Sequence, residues 1–198
     1  GRSWNMKKKV VLLGDSITQG LGSKKINFTQ ELQEQLGNGY LIDNMAFTGT
    51  TIHYAEKILP EVMEKHPEYV VIVYGNVDAQ IRPCRTGRIF PHLPKRFQGG
   101  GMLMPRPFYS HTWYKRIGQK IENMLRKICS KLIYAVDGTE QWVPLGEFQE
   151  AYQNLVKELK KCKIKPIVCS TVYIDETLFP GSLTQYKLFN SKIEDISN

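Results

Sequence analysis

Lys8-Lys9-Val10-Val11-Leu12-Leu13-Gly14-Asp15-Ser16-Ile17-Thr18-Gln19-Gly20 is the stretch on which the fold turns. An unbroken apolar run closed by a glycine reads as a strand buried on both faces, the kind that occupies the middle of a parallel sheet. The polar turn after it leads into a helix-compatible segment from about Ser23. Ser16 thereby stands at the carboxyl edge of the sheet, where open α/β folds bind ligands. Taken alone, Asp15 and Ser16 fit a helix cap equally well, because both side chains accept hydrogen bonds from the first amides of a helix.

Working outward, Phe28, Leu32 and Leu36 share one helical face, and Gly37-Asn38-Gly39 stops that helix. A strand follows at Tyr40 to Met45, and then Asn44-Met45-Ala46-Phe47-Thr48-Gly49-Thr50-Thr51 passes through Gly49 into a helix with Ile52, Ala55, Ile58, Leu59, Val62 and Met63 as its apolar positions. Glu68 to Tyr74 reads as a third strand, with Val70-Val71-Ile72-Val73 the most apolar run of the chain, ending in Gly75-Asn76-Val77-Asp78. Trp113 to Leu132 predicts a helix whose stripe of Ile117, Ile121, Leu125, Ile128 and Leu132 is expected to face the core. A further helix from about Gly146 aligns Phe148, Tyr152, Leu155, Val156 and Leu159, a strand runs from Lys165 to Thr171, and Tyr186 to Ile196 forms the next helix. Alternating strands and helices predict a three-layer α/β fold, a doubly wound parallel sheet of flavodoxin-like order with right-handed crossovers.

Gly14-Asp15-Ser16-Ile17-Thr18 at the end of the first strand resembles the opening block of the SGNH, or GDSL, hydrolases. The resemblance implies that Ser16 is the nucleophile and supplies an oxyanion amide, and that Gly49, in the position of the family's second block, adds another. The third block of the family is glycine, any residue, asparagine, aspartate, and its asparagine donates to the oxyanion. Here Asn76 stands one place early and Val77 holds the expected position, where an apolar side chain cannot donate. Asn76 is therefore the candidate third donor; Asp15 and Asp78 are candidate substrate-side residues, and Asp78 suits bonding to turn amides better than acting as a base. The family ends with an aspartate three residues before the histidine that activates the serine. After Asp15, Asp43, Asp78, Asp137, Asp175 and Asp195 the corresponding residues are Thr18, Ala46, Ile81, Glu140, Leu178 and Asn198, so the general base is not found. His53, His66, His92 and His111 each fit a structural role. The expectation is a single domain over residues 1–198, C-terminally incomplete and lacking the last strand and helix, and as it stands weakly active or inactive.

Residues from about 79 to 110 break the α/β pattern. They hold Pro83, Pro91, Pro94, Pro105 and Pro107 with Gly99-Gly100-Gly101, carry Arg82, Arg85, Arg88, Lys95, Arg96 and Arg106, and contain no acidic residue. Guanidinium groups suit carboxylate or phosphate, and the interleaved Phe90, Phe97, Phe108 and Tyr109 suit sugar rings, so Arg82, Arg85 and Arg88 are candidate binders of an anionic saccharide. A solvated loop explains the same composition.

The chain has 198 residues, 41% hydrophobic and 23% charged, enough for a sizeable core, and a net charge of +8 that favours an anionic partner. No zinc-finger spacing, RNA-recognition signature or helix-turn-helix pattern points to nucleic acid. No apolar run is long enough for a membrane span, and the first strand begins too soon after Met6 to leave room for a signal peptide. A cytoplasmic location is expected, with a removed leader left open because Gly1 to Asn5 precede Met6. Cys84, Cys129, Cys162 and Cys169 lack paired metal spacing and read as reduced packing residues. Neither a metal nor an organic cofactor is implied, and oligomeric state is not legible. The functional expectation is an SGNH-type serine ester hydrolase that removes O-acetyl or other short acyl groups from a carbohydrate. O-acetyl transfer in polysaccharide biosynthesis and a non-catalytic saccharide-binding module on the same fold are the alternatives.

Overall fold

A computed structural model describes residues 7–15, 28–99, 103, 109–171 and 180–198. In chain order the elements are β1 (Lys8–Gly14), α1 (Phe28–Leu36), β2 (Tyr40–Asn44), α2 (Ile52–Glu64), β3 (Tyr69–Val73), α3 (Asn76–Ala79), β4 (Ile81–Pro83), α4 (Lys95–Gln98), α5 (Trp113–Val136), β5 (Thr139–Gln141), α6 (Leu145–Lys161), β6 (Lys165–Val168) and α7 (Ser182–Ser197). They divide into two compact units, the first made of described residues up to 80, 142–171 and 182–198, the second of 81–141 with 180–181.

The first unit is a parallel sheet in the order β2-β1-β3-β6. Because successive side chains of a strand point to opposite faces, the unbroken apolar runs of β1 and β3 feed two cores at once. Val11, Leu13, Val70 and Ile72 pack on one face with Ile52, Ala55 and Val62 of α2, Phe148, Tyr152 and Leu155 of α6, and Tyr186, Phe189 and Ile193 of α7. Val10, Leu12, Val71 and Val73 pack on the other with Leu32 and Leu36 of α1. The result is the expected three-layer, doubly wound α/β architecture with the flavodoxin-like order of its first strands. The first strand, the stripe of α2 and the aromatic and aliphatic stripe of α6 fall where their periodicity predicts.

The second unit contains the basic stretch that breaks the α/β pattern. β4 pairs antiparallel with β5, placing Arg82 opposite Glu140. Phe90, Phe97, Leu103 and Ile133 form its small core. Here one expectation fails. Ile117, Ile121, Leu125, Ile128 and Leu132 of α5 are between 41% and 51% exposed and are not core. The helix instead buries Asn123, Arg126 and Ile133. Arg126 is matched there on every side: its guanidinium donates to the Arg96 carbonyl at 2.9 Å, pairs with Glu122 at 2.8 Å and lies 4.8 Å from the Phe97 ring centre. Asn123 donates to the Tyr109 hydroxyl at 3.0 Å. A polar face with its partners in place can be buried at little cost, and that leaves the apolar face outside.

Candidate active site

Two of the turns singled out in the sequence, those at Gly49 and Gly75, lie at the carboxyl edge of the first unit's sheet, where β1 ends at Gly14. In the ladder, Gly14 is beside Val73 of β3 and Leu12 beside Asn44 of β2. Past β2 the chain stays bonded to β1, the amides of Met45 and Phe47 donating to the carbonyls of Leu12 and Gly14 at 2.9 and 3.0 Å. The Thr50 hydroxyl then closes the turn on the Phe47 carbonyl at 2.6 Å. Gly49 sits inside this turn with φ +73°, and a side chain there would meet nothing within 4 Å. It is a glycine for its left-handed backbone, not for lack of space, and it stands exposed at the sheet edge. Ser16 lies outside the described residues; the residue before it, Asp15, is fully buried at the end of β1.

After β3 the chain turns at Gly75, φ +126°, into the single turn of α3. Asp78, with no exposed surface, joins this turn to the previous one. Its Oδ1 accepts from the Ile52 amide, the first of α2, at 2.8 Å, and its Oδ2 accepts from the Gly75 amide at 3.1 Å. Thr51 makes no side-chain cap, so Asp78 does the capping from a distance in sequence. Burial pushes the Asp78 carboxyl up to about 7, with the nearby Asp15 adding to the rise and the bonds from Ile52 and Gly75 opposing it. Asn76 is 3% exposed and Val77 5%. The Asn76 carbonyl accepts from the Tyr186 hydroxyl at 3.2 Å, which ties the turn to α7.

Periodicity places two tyrosines in this interior without showing what surrounds their hydroxyls. Tyr74 ends the third apolar run and is buried with Thr50, Asp78 and Asp15 as polar neighbours, its phenol made less acidic by burial. Tyr152, one position of the α6 stripe, is likewise fully buried, with its acidity lowered by burial and by the neighbouring Cys169 and Asp78. A phenol directly after a buried strand and immediately before a glycine is the signal that marks Tyr74.

His53, the second residue of α2, bonds Glu56 at 2.9 Å and Glu147 of α6 at 2.7 Å. The bond to Glu56 chiefly, and then Glu147, favours its charged form against partial burial. His66 follows α2 with φ +48°. In the second unit, His92 ends a short 3₁₀ turn at Phe90–His92 and His111 precedes α5.

The arginines of that unit do not behave alike. Arg82 is fully buried. Arg85 is half-exposed and pairs with Glu140 at 2.5 Å. Arg88 is exposed, and its amide, with that of Ile89, bonds Asp137, holding that carboxyl below the usual range. Among the described residues no group of histidine, cysteine or carboxylate side chains is arranged to hold a metal, and no helix is long and apolar enough to cross a membrane.

No protein-family model and no curated protein matches the sequence. Solved structures do. Axe2, an acetylxylan esterase from Geobacillus stearothermophilus, superposes over 96% of this chain and 71% of its own with a TM-score of 0.55 at 15% identity. The lipase/acylhydrolase from Enterococcus faecalis covers 96% and 71% with a TM-score of 0.54 at 18% identity. A G-D-S-L family protein from Desulfitobacterium hafniense DCB-2, assigned as lipolytic, covers 96% and 72% with a TM-score of 0.56 at 16% identity. At these identities the likeness is one of fold. The chain has the fold of the SGNH, or GDSL, hydrolases.

Proposed function

We propose that this chain is a serine ester hydrolase of the SGNH type, with an O-acetyl or other short acyl ester of a carbohydrate as its substrate. The supporting observation is that, in the order of the family's blocks, Asp15 follows β1 at the sheet edge where the Gly49 turn is held to the Gly14 carbonyl through Phe47 and the Gly75 turn is held to α2 through Asp78. Ser16 follows Asp15 directly. On this reading the Ser16 hydroxyl attacks the ester carbonyl, the amides of Ser16 and Gly49 receive the oxyanion, the sugar alcohol leaves with a proton, and water then releases the acyl group from Ser16. Asp78 ties the Gly75 turn to the start of α2, and Asp15 and Asp78 stand on the substrate side of the site. Val77 in the asparagine position places the stabilisation on the backbone amides and on Asn76, and loss of one side-chain donor lowers turnover by roughly 10² to 10³. The acetyl group and sugar rest on the fold likeness to acetylxylan esterases, together with the aromatic and basic composition of residues 79–110.

A second reading, a saccharide-binding module without chemistry, is favoured by Val77 and by the lack of an aspartate followed three residues later by histidine in the 198 residues. Prolonged incubation with a fluorophosphonate probe separates the two. Labelling that Ser16→Ala abolishes is the expected result; labelling unchanged by Ser16→Ala overturns the assignment of the nucleophile. Binding of acetylated xylan with no labelling at all establishes the binding module instead. Release of acetate from p-nitrophenyl acetate, with and without added acceptor sugars, distinguishes hydrolysis from acyl transfer.

A further inference from the structure

The apolar face of α5 has a definite geometry. At 3.6 residues per turn, the exposed large apolar side chains from Trp113 round to Val136 occupy an arc of about 140° along the helix. Arg116, Lys120, Lys127 and Lys131 fall within about 60° of one another in a row along one border of that arc. All four are exposed, as is Lys115, whereas the helix's single acid, Glu122, is engaged by Arg126. At the start of the helix Trp113 and Tyr114 are 68% and 58% exposed, in edge-on contact at 6.0 Å.

We propose that α5 is a membrane-surface helix that lies flat on anionic lipid, with its apolar arc in the acyl boundary and its basic row on the headgroup phosphates. A broad apolar arc, a basic flank and aromatic residues at one end are the properties that hold a helix in the interfacial plane. Charge selects the occupant. In an antiparallel pair of two copies, the basic row of one helix would face the basic row of the other, with no exposed acid on α5 to balance it. Nucleic acid would satisfy the lysines and gain nothing from the apolar arc. An anionic bilayer matches both, and the chain's net charge of +8 draws it toward such a surface. Contact is peripheral and involves no spanning helix. The inference does not depend on the esterase reading, since it uses no residue of the sheet edge.

The test is co-sedimentation of the 198-residue chain with vesicles of phosphatidylcholine containing about one third phosphatidylglycerol, against vesicles of phosphatidylcholine alone. Two variants accompany it, Ile121→Gln with Ile128→Gln, and Lys120→Gln with Lys127→Gln, all at exposed positions, with far-UV circular dichroism and urea unfolding to show that the fold is kept. The expected result is binding to the anionic vesicles that weakens at high salt, falls by roughly 25-fold in the lysine variant at about fivefold per charge, and falls at least about tenfold in the isoleucine variant. Failure to favour anionic vesicles, or equal binding by wild type and both variants, overturns the proposal. So does a dimer in sedimentation velocity that the isoleucine variant converts to monomer, because a second copy would then cover the face.

Discussion

Replacing Gly75 by alanine tests the turn on which both Asn76 and Asp78 depend. Gly75 has φ +126° and ψ −28°, a conformation that a residue with a side chain adopts at a cost of roughly 1–3 kcal/mol. A Cβ there would lie 2.4 Å from Thr171 Cγ2, 3.6 Å from Ile193 Cδ1 and 3.7 Å from Phe148 Cζ, so only the first is a collision. Thr171 has little freedom to withdraw. Its amide and its hydroxyl both donate to Asn190 Oδ1 at 2.7 Å. Overpacking of this kind adds roughly 1–3 kcal/mol, for a total of roughly 2–6 kcal/mol. A typical domain has only about 5–15 kcal/mol to lose. Urea unfolding followed by circular dichroism measures the loss. Thr171→Ser removes the colliding methyl and keeps the hydroxyl, so the double variant isolates the backbone strain. Relative to the sum of the single variants it should recover roughly 1–3 kcal/mol. A loss below about 1 kcal/mol in Gly75→Ala, or strict additivity in the double variant, would refute the reasoning.

Asp78 makes stability depend on pH in an unusual direction for a carboxylate. The unfolded chain releases its proton near 3.8, whereas the native carboxyl holds it up to about 7, so its contribution is full below 3.8 and is lost as pH rises through about 7. The urea midpoint of the wild type should therefore fall relative to that of Asp78→Asn between these limits; a constant or rising difference contradicts the assignment. The arginines of the second unit separate cleanly. Arg82→Gln should cost roughly 2–5 kcal/mol, because a fully buried side chain and its polar surroundings are both disturbed. Arg85→Gln, which removes a half-exposed ion pair with Glu140, should cost no more than about 1 kcal/mol. Equal losses in the two variants would mean that Arg82 is not part of the interior.

The sheet edge was legible because its signals are local. A strand buried on both faces has to be an unbroken apolar run, so β1 and β3 declare themselves, and the turn that follows each is then placed at the ligand edge by topology alone. The helical stripes of α2 and α6 read correctly because the residues each helix buries are those of its apolar stripe. The partner of Asp78 could not be read, since the Ile52 amide is brought to it by the crossover of α2 against β3 and not by any spacing in the chain. Nor was the burial of Arg82. An arginine among prolines and glycines has the composition of a solvated loop, and only the antiparallel pairing of Ile81–Pro83 with Thr139–Gln141 turns it inward.

α5 shows what periodicity leaves undetermined. A period of 3.6 says that a helix has two faces; it does not say which one is inside. The usual rule puts the apolar face inward because burying charge without a partner is costly, and in α5 that premise fails. Arg126 finds a carbonyl, a carboxylate and an aromatic ring, and Asn123 finds a hydroxyl, so the polar face docks without an unpaired charge. Each large apolar side chain left half in water then forgoes roughly 1 kcal/mol of the burial available to it. Along two dozen residues that deficit is comparable with the whole stability of a small unit. A helix that leaves so much unrealised, beside a row of exposed basic residues, is built for a surface that supplies both apolar contact and negative charge.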